Sequence, residues 1–145
     1  MAKALVDSGY KHQIEVEGST DFTKKVNQTL KLIEVAGFKD YFRTYIRKIM
    51  EIDGLTQLRE TEVAIWANKF AVENPVDAAS LFIQKAYIMK EYLHGELYYG
   101  GKAEKASVEK RVDFLKTLKE KSKDKSVKDE CERLLDMWAG SALAF

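Results

Sequence analysis

Cysteine, proline and surplus charge are all scarce in this sequence, and each shortage excludes a class of protein. The single cysteine, Cys131, cannot form an intrachain disulfide, which suits a reducing compartment. The 24 Lys and Arg residues nearly balance the 23 Asp and Glu residues, so the formal net charge is only +1. Such a chain has no global field that would draw it onto nucleic acid or an anionic membrane.

Long apolar runs are also missing. No segment approaches the roughly 18 apolar residues that span a bilayer, and the apolar start at Met1–Val6 is too short for a signal peptide. We therefore expect a cytoplasmic protein that does not use a membrane as a partner. The 145 residues suffice for one domain, and the hydrophobic fraction of 46% indicates a globular chain, so we expect a single domain over residues 1–145.

Alternation of apolar and polar residues predicts a small β component. His12, Ile14 and Val16 alternate with polar residues, which indicates a half-buried strand near residues 12–17. Val63, Ile65 and Ala67 alternate in the same way, which indicates a strand or a strand pair within residues 62–72. The sequence therefore predicts an α+β fold that is mostly helical, with a small antiparallel sheet.

Helical spacing and capping residues account for most of the remaining chain. Ser19 or Thr20 is suited to cap a helix that ends at Gly37, and Asn74 followed by Pro75 is a strong helix start. The other predicted helices cover Lys39–Met50, Lys102–Lys121 and the segment that Ser126 would cap. The helix after Pro75 is apolar almost all round, so we expect it to be buried at the centre of the fold.

Two segments resemble a family of small bacterial proteins classed as zinc metallopeptidases. That family opens with Gly-Ser-x-Asp/Glu-Phe, similar to Gly18-Ser19-Thr20-Asp21-Phe22, and its zinc helix reads His-Asp/Glu-Ala-Tyr-His-Ser-Lys-x-Tyr. Laid on the central helix, the pattern is matched by Ala86, Tyr87, Lys90 and Tyr92. Gln84, Lys85 and Ile88 stand where the family has its two histidines and its acid. The resemblance covers about three quarters of the chain and implies a zincin-like scaffold.

The resemblance also places the family's third, acidic ligand on Ala106, or about one turn away on Glu104 or Glu109. Gln is a poor zinc ligand, Ile is none, and Lys repels a cation. The resemblance therefore implies a scaffold that has lost its metal site, with no cofactor and no catalysis. We expect a non-catalytic binding protein that takes another protein or a small anionic ligand, with Lys85 holding the anionic group. The expected contact residues are Gln84, Lys85, Ile88, Tyr92, Tyr98 and Tyr99.

Other functions stay open at this point. Glu91, His94 and Glu104 could ligate a metal in a hydrolase of unusual design. The lysines within Lys116–Lys128 could contact phosphates in a nucleic-acid-associated regulator, although no aromatic residues interleave with them and we favour a solvated face as their explanation. The apolar tail Ser141–Phe145 could dock on the body of the protein or on a second copy, which would make a homodimer.

Overall fold

The computed structural model describes residues 2–96 and 99–142, which form helices packed on one another and one four-stranded sheet. The mostly helical α+β class predicted from the sequence is confirmed. In chain order the elements are α1 (Ala2–Asp7), β1 (Glu15–Glu17), α2 (Thr20–Val35), α3 (Lys39–Tyr45), β2 (Lys48–Glu51), β3 (Gln57–Arg59), a 3-10 turn (Glu60–Glu62), β4 (Ala64–Ala67), α4 (Pro75–Leu93), α5 (Gly101–Lys121) and α6 (Lys125–Ala142). No helix in the described part of the chain is long and apolar enough to cross a bilayer.

The sheet is mixed, with the strand order β1-β2-β4-β3. β1 pairs with β2 and β2 pairs with β4 in parallel, while only β3 and β4 run antiparallel. The prediction of an antiparallel sheet is therefore wrong for two of the three pairings. The reason is the connection between β1 and β2, because α2 and α3 carry the chain back to the starting end of the sheet before β2 begins.

The predicted helix Lys39–Met50 is wrong in its second half. α3 ends at Tyr45, Ile46 is extended with φ −125° and ψ 129°, and the chain continues into β2. Ile46 and Ile49 fit a helical stripe by spacing, yet both are fully buried in the extended segment as well. Strands on both sides of β2 satisfy its backbone hydrogen bonds. The spacing of apolar residues within the segment could not indicate this pairing.

Both predicted strand regions are shorter than expected. The first forms its ladder only over Glu15–Glu17. In the second, Val63 has a left-handed backbone with φ 55°, so β4 starts at Ala64. Beyond β4 the Asn68 side chain accepts a hydrogen bond of 3.0 Å from Ala71 N, which turns the chain and ends the strand. An antiparallel strand pair does exist here, but the antiparallel partner of β4 is β3, which precedes the predicted region.

Helix ends follow the predicted caps in most places. Ser19 Oγ accepts a hydrogen bond of 3.1 Å from Phe22 N, and Gly37 takes a positive φ of 82° after α2. Asn74 Oδ1 accepts from the backbone at the start of α4, with Pro75 in the first turn. For α6 the predicted cap is wrong, because Ser126 lies inside the helix and its N–H donates to Asp124 Oδ1 over 2.9 Å.

The central position of α4 is confirmed. It packs against α2, α3, α5 and α6, and its fully buried side chains include Ala79, Phe82, Ile83, Ala86 and Met89. Phe82 stacks on Phe42 of α3 with ring centroids 6.0 Å apart. Packing on several sides of α4 restricts the movement of its side chains. The surroundings of each polar side chain on α4 are therefore well defined.

Candidate functional site

Gln84 lies inside the molecule, in the seam between α4 and α5. Its side chain is buried, its Nε2 donates to Ser107 Oγ over 3.0 Å, and its Oε1 accepts from Arg111 Nη1 over 3.1 Å. Both ends of the amide are therefore engaged by α5. Gln84 thus has partners within the protein in this seam, and its contact with a ligand stays a prediction.

Arg111 is the centre of the same seam. Besides Gln84, its guanidinium donates to Ser80 Oγ over 2.8 Å and to Asp77 Oδ1 over 2.7 Å. The guanidinium carbon also lies 4.8 Å from the centroid of the Trp138 ring on α6. Burial lowers the pKa of Arg111 from its ordinary value and Asp77 opposes that shift, yet a guanidinium stays charged at neutral pH. A fixed positive charge therefore occupies the seam, joined to α4 and α6 alike.

The α5 residues that face Gln84 are not those that the family resemblance suggested. Glu104 and Glu109 are exposed, and Ala106 is half-buried without a polar atom. Ser107 and Arg111 occupy the facing positions instead. Arg111 shares helical spacing with the inward residues Val108, Leu115 and Leu118, so a charged residue on that apolar stripe was the signal that sequence reasoning missed.

Lys85 lies on a neighbouring face of α4, together with three apolar or aromatic residues. Leu81, Lys85, Ile88 and Tyr92 follow one another at helical spacing and are all half-buried, and we call this set the α4 stripe. Within the described residues Lys85 forms no ion pair. Burial lowers the pKa of the Lys85 ammonium, Arg111 adds to the effect, and Glu104 and Glu60 oppose it. The stripe therefore holds a partly desolvated cation between apolar side chains.

The remaining predicted contact residues differ in position. Ile88 and Tyr92 belong to the α4 stripe with Lys85. Tyr99 follows the end of α4 and exposes 66% of its surface. Tyr98 lies outside the described residues. The structure therefore brings Lys85, Ile88 and Tyr92 together and places Tyr99 at the surface.

The suggested metal ligands Glu91, His94 and Glu104 do not form a cluster. Burial and, after it, the nearby Glu91 raise the pKa of Tyr45 and of Tyr87, so Glu91 lies toward α3. Glu104 instead lies near Lys85, where it opposes the lowering of the lysine pKa by burial. His94 is exposed at the C-terminal end of α4. Over residues 2–96 and 99–142 no group of three or more His, Cys, Asp or Glu side chains is placed to hold a metal ion.

Several lysines of the Lys116–Lys128 region are engaged within the protein. Lys119 pairs with Glu132 at 3.8 Å, and Lys125 pairs with Asp129 at 3.0 Å. Lys128 donates to the carbonyl of Lys119 over 2.7 Å at the end of α5. These contacts reduce the positive surface available to phosphates and support the solvated-face interpretation.

Comparison with known protein families, with curated proteins and with solved structures gives no match. The likeness to zinc metallopeptidases therefore stays a prediction based on the residues quoted above. Function has to be inferred from the geometry of the α4–α5 seam and of the α4 stripe.

Proposed function

We propose that this protein is a non-catalytic binding protein, built on a scaffold that resembles a metallopeptidase, and that the α4 stripe is its contact surface. The observation that carries this proposal is the environment of Arg111. Its guanidinium is held by Asp77, Ser80 and Gln84, so the seam that would hold a metal in the resembling family contains a protein cation. A divalent ion placed beside that charge would be repelled strongly in a poorly hydrated seam.

The polar side chains of the seam are hydrogen-bonded to one another across α4 and α5. Gln84 bridges Ser107 and Arg111, and Ser80 Oγ donates to the backbone of Asp77 while it accepts from Arg111. A buried network in which every member has a partner fixes the relative positions of the helices. This arrangement supports a structural role for the seam. We therefore assign the functional contact to the α4 stripe.

The chemistry of the α4 stripe suits a carboxylate attached to an apolar or aromatic body. Lys85 offers three donors and a positive charge, and it lies in surroundings where a charge-assisted hydrogen bond is stronger than in water. Ile88 and Tyr92 flank it at distances of one and two helical turns, and Tyr is enriched at protein interfaces. The ligand that we propose is therefore an acidic group of another protein or of a small molecule.

The experiment is affinity capture from the cells that make this protein, followed by measurement of binding with the purified partner. Lys85→Ala should weaken binding about tenfold or more, since it removes the only cation of the stripe, whereas Lys85→Arg should retain most of it. Lys105→Ala is the matched control, because Lys105 is exposed on α5 and lies outside the stripe. A partner that binds Lys85→Ala as tightly as wild type would contradict the proposal.

A further inference from the structure

A cavity of 1090 Å³ opens at the N-terminal end of α4, between the second half of α2 and the start of α6. Its apolar floor consists of Leu32, Val35, Pro75, Val76 and Val127. We call the whole cavity the α2–α6 groove. Val35 belongs to this floor, and 41% of its surface is exposed. Apolar surface that is exposed within a concave site is typical of a place where another molecule binds.

The acidic residues around the groove are all engaged within the protein. Glu73 pairs with Lys25 at 3.0 Å, and Asp124 accepts hydrogen bonds from the backbone and hydroxyl of Ser126. Glu130 accepts a hydrogen bond of 2.8 Å from Asn74 and is also paired with Arg133. Glu73 and Glu130 are therefore each paired with a cation, whereas Asp124 is hydrogen-bonded to the first turn of α6.

The lysines around the groove are in the opposite situation. Lys31 on α2, Lys121 at the end of α5 and Lys123 in the following connection all line it. None of the three forms an ion pair with any described residue. The Lys121 ammonium lies close to Gly37, since a Cβ built on Gly37 would be only 2.9 Å from it. The groove thus combines an apolar floor with three rim lysines that form no ion pair among the described residues.

We propose that the α2–α6 groove is a docking site for an acidic amphipathic helix of a partner protein. The apolar face of such a helix would cover Leu32, Val35 and Val127, and its carboxylates would meet the three rim lysines. Helices recognised in this way place residues at i, i+3, i+4 and i+7 in an apolar groove. The inference is independent of the function proposed for the α4 stripe, because Pro75 and Lys85 are about 15 Å apart along α4.

The shape of the surface favours a helix over an anionic membrane. Its apolar residues form a recess in which Val76 is buried and Leu32 is half-buried. Surfaces that enter a membrane present their apolar residues outward, toward the acyl chains. A recess with charges on both sides of it matches a convex helix instead.

The test uses the full chain and a fluorescent synthetic peptide of 18 residues, with Leu at helical spacing and Glu elsewhere. Binding is measured by fluorescence anisotropy at several salt concentrations. The triple variant Lys31→Glu, Lys121→Glu and Lys123→Glu should lose about tenfold or more in affinity. The same variant should bind more tightly than wild type to a second peptide in which Lys replaces every Glu. In that pair the charges of the groove rim and of the peptide are both reversed.

A second triple variant, Lys102→Glu, Lys105→Glu and Lys116→Glu, has the same net charge but changes exposed lysines of α5 outside the groove. It should bind the acidic peptide like wild type, and so should Lys85→Ala. Val35→Asp should weaken binding without a change in the circular dichroism spectrum. The proposal is overturned if wild type ignores the acidic peptide, if the control triple variant weakens binding as much, or if vesicles of phosphatidylglycerol bind in its place with the same dependence on the rim lysines.

Discussion

Arg111 Nη2 on α5 lies 2.7 Å from Asp77 Oδ1 on α4, but the two side chains are unequally buried, with 10% of Arg111 and 41% of Asp77 exposed. Water can solvate the Asp77 carboxylate if its partner is removed. The Arg111 guanidinium has no such access and would remain in the seam without its counter-charge. The two residues therefore contribute to stability in different ways.

Arg111→Met should lower the free energy of unfolding by about 2–4 kcal/mol, because it leaves Gln84 Oε1 without its donor and removes the packing on Trp138. Asp77→Asn should cost only about 1 kcal/mol, since an amide oxygen can still accept from Arg111. Urea denaturation measures both. Lys125→Met is the control, because the exposed Lys125–Asp129 pair should contribute less than about 0.5 kcal/mol. Equal losses for all three variants would contradict the importance of burial in the seam.

Lys85→Met should stabilise the protein by about 1 kcal/mol near neutral pH, because it removes a partly desolvated charge that pairs with no acid in the described part of the chain. Burial lowers the native pKa of Lys85 below its ordinary value of 10.5, so the unfolded chain binds the proton more tightly than the native one. Wild type should therefore gain stability relative to the variant as pH rises through the native pKa toward 10.5. Urea denaturation of both proteins along a pH series measures this gain, and a pH-independent difference would contradict the burial of the charge.

Gly18→Ala should destabilise the protein by about 1–3 kcal/mol through steric overlap. A Cβ at this position would lie 2.6 Å from Cδ2 of the buried Phe22 and 2.8 Å from Cβ of Glu51, the last residue of β2. Gly54→Ala is the matched control, because nothing lies within 4 Å of its Cβ, and it should change stability little. Thermal unfolding followed by circular dichroism separates the two variants, and a neutral Gly18→Ala would show that α2 can shift on the sheet.

Tyr41→Phe should raise the free energy of unfolding by about 1 kcal/mol. The hydroxyl of Tyr41 is buried and has no hydrogen-bond partner among the described residues, so the native state loses a contact that water provides in the unfolded chain. The ring itself packs edge-on against Phe38 and Tyr45, and phenylalanine preserves both contacts. Chemical denaturation measures the effect. A loss of stability on substitution would indicate a bound water at this hydroxyl.

Local signals predicted the parts of the fold that depend on neighbouring residues. Asn74 and Pro75 define the start of α4, and the apolar composition of that helix predicts its burial, because capping and periodicity act within a few residues. The direction of the strands could not be predicted in this way. β1 and β2 are parallel because of how α2 and α3 pack, which is a property of the whole chain.

The candidate site was predicted only in part, and for the same reason. Lys85, Ile88 and Tyr92 share a stripe because their spacing on one helix requires it. Gln84 was assigned to the surface although it is buried, since its partners Ser107 and Arg111 lie on a different helix. The α2–α6 groove was not predicted at all, because residues from α2, α4 and α6 meet there only after folding.

The two outer strands of the sheet, β1 and β3, contain three residues each. The longer strands β2 and β4 lie between them and have both of their sides paired. A neighbouring molecule therefore finds almost no continuous unpaired backbone on which to extend the sheet, and the exposed Glu15 adds negative charge to one of the two margins. The folded protein should accordingly resist fibril formation at high concentration, and growth of ordered aggregates would require that β2 or β4 first be uncovered.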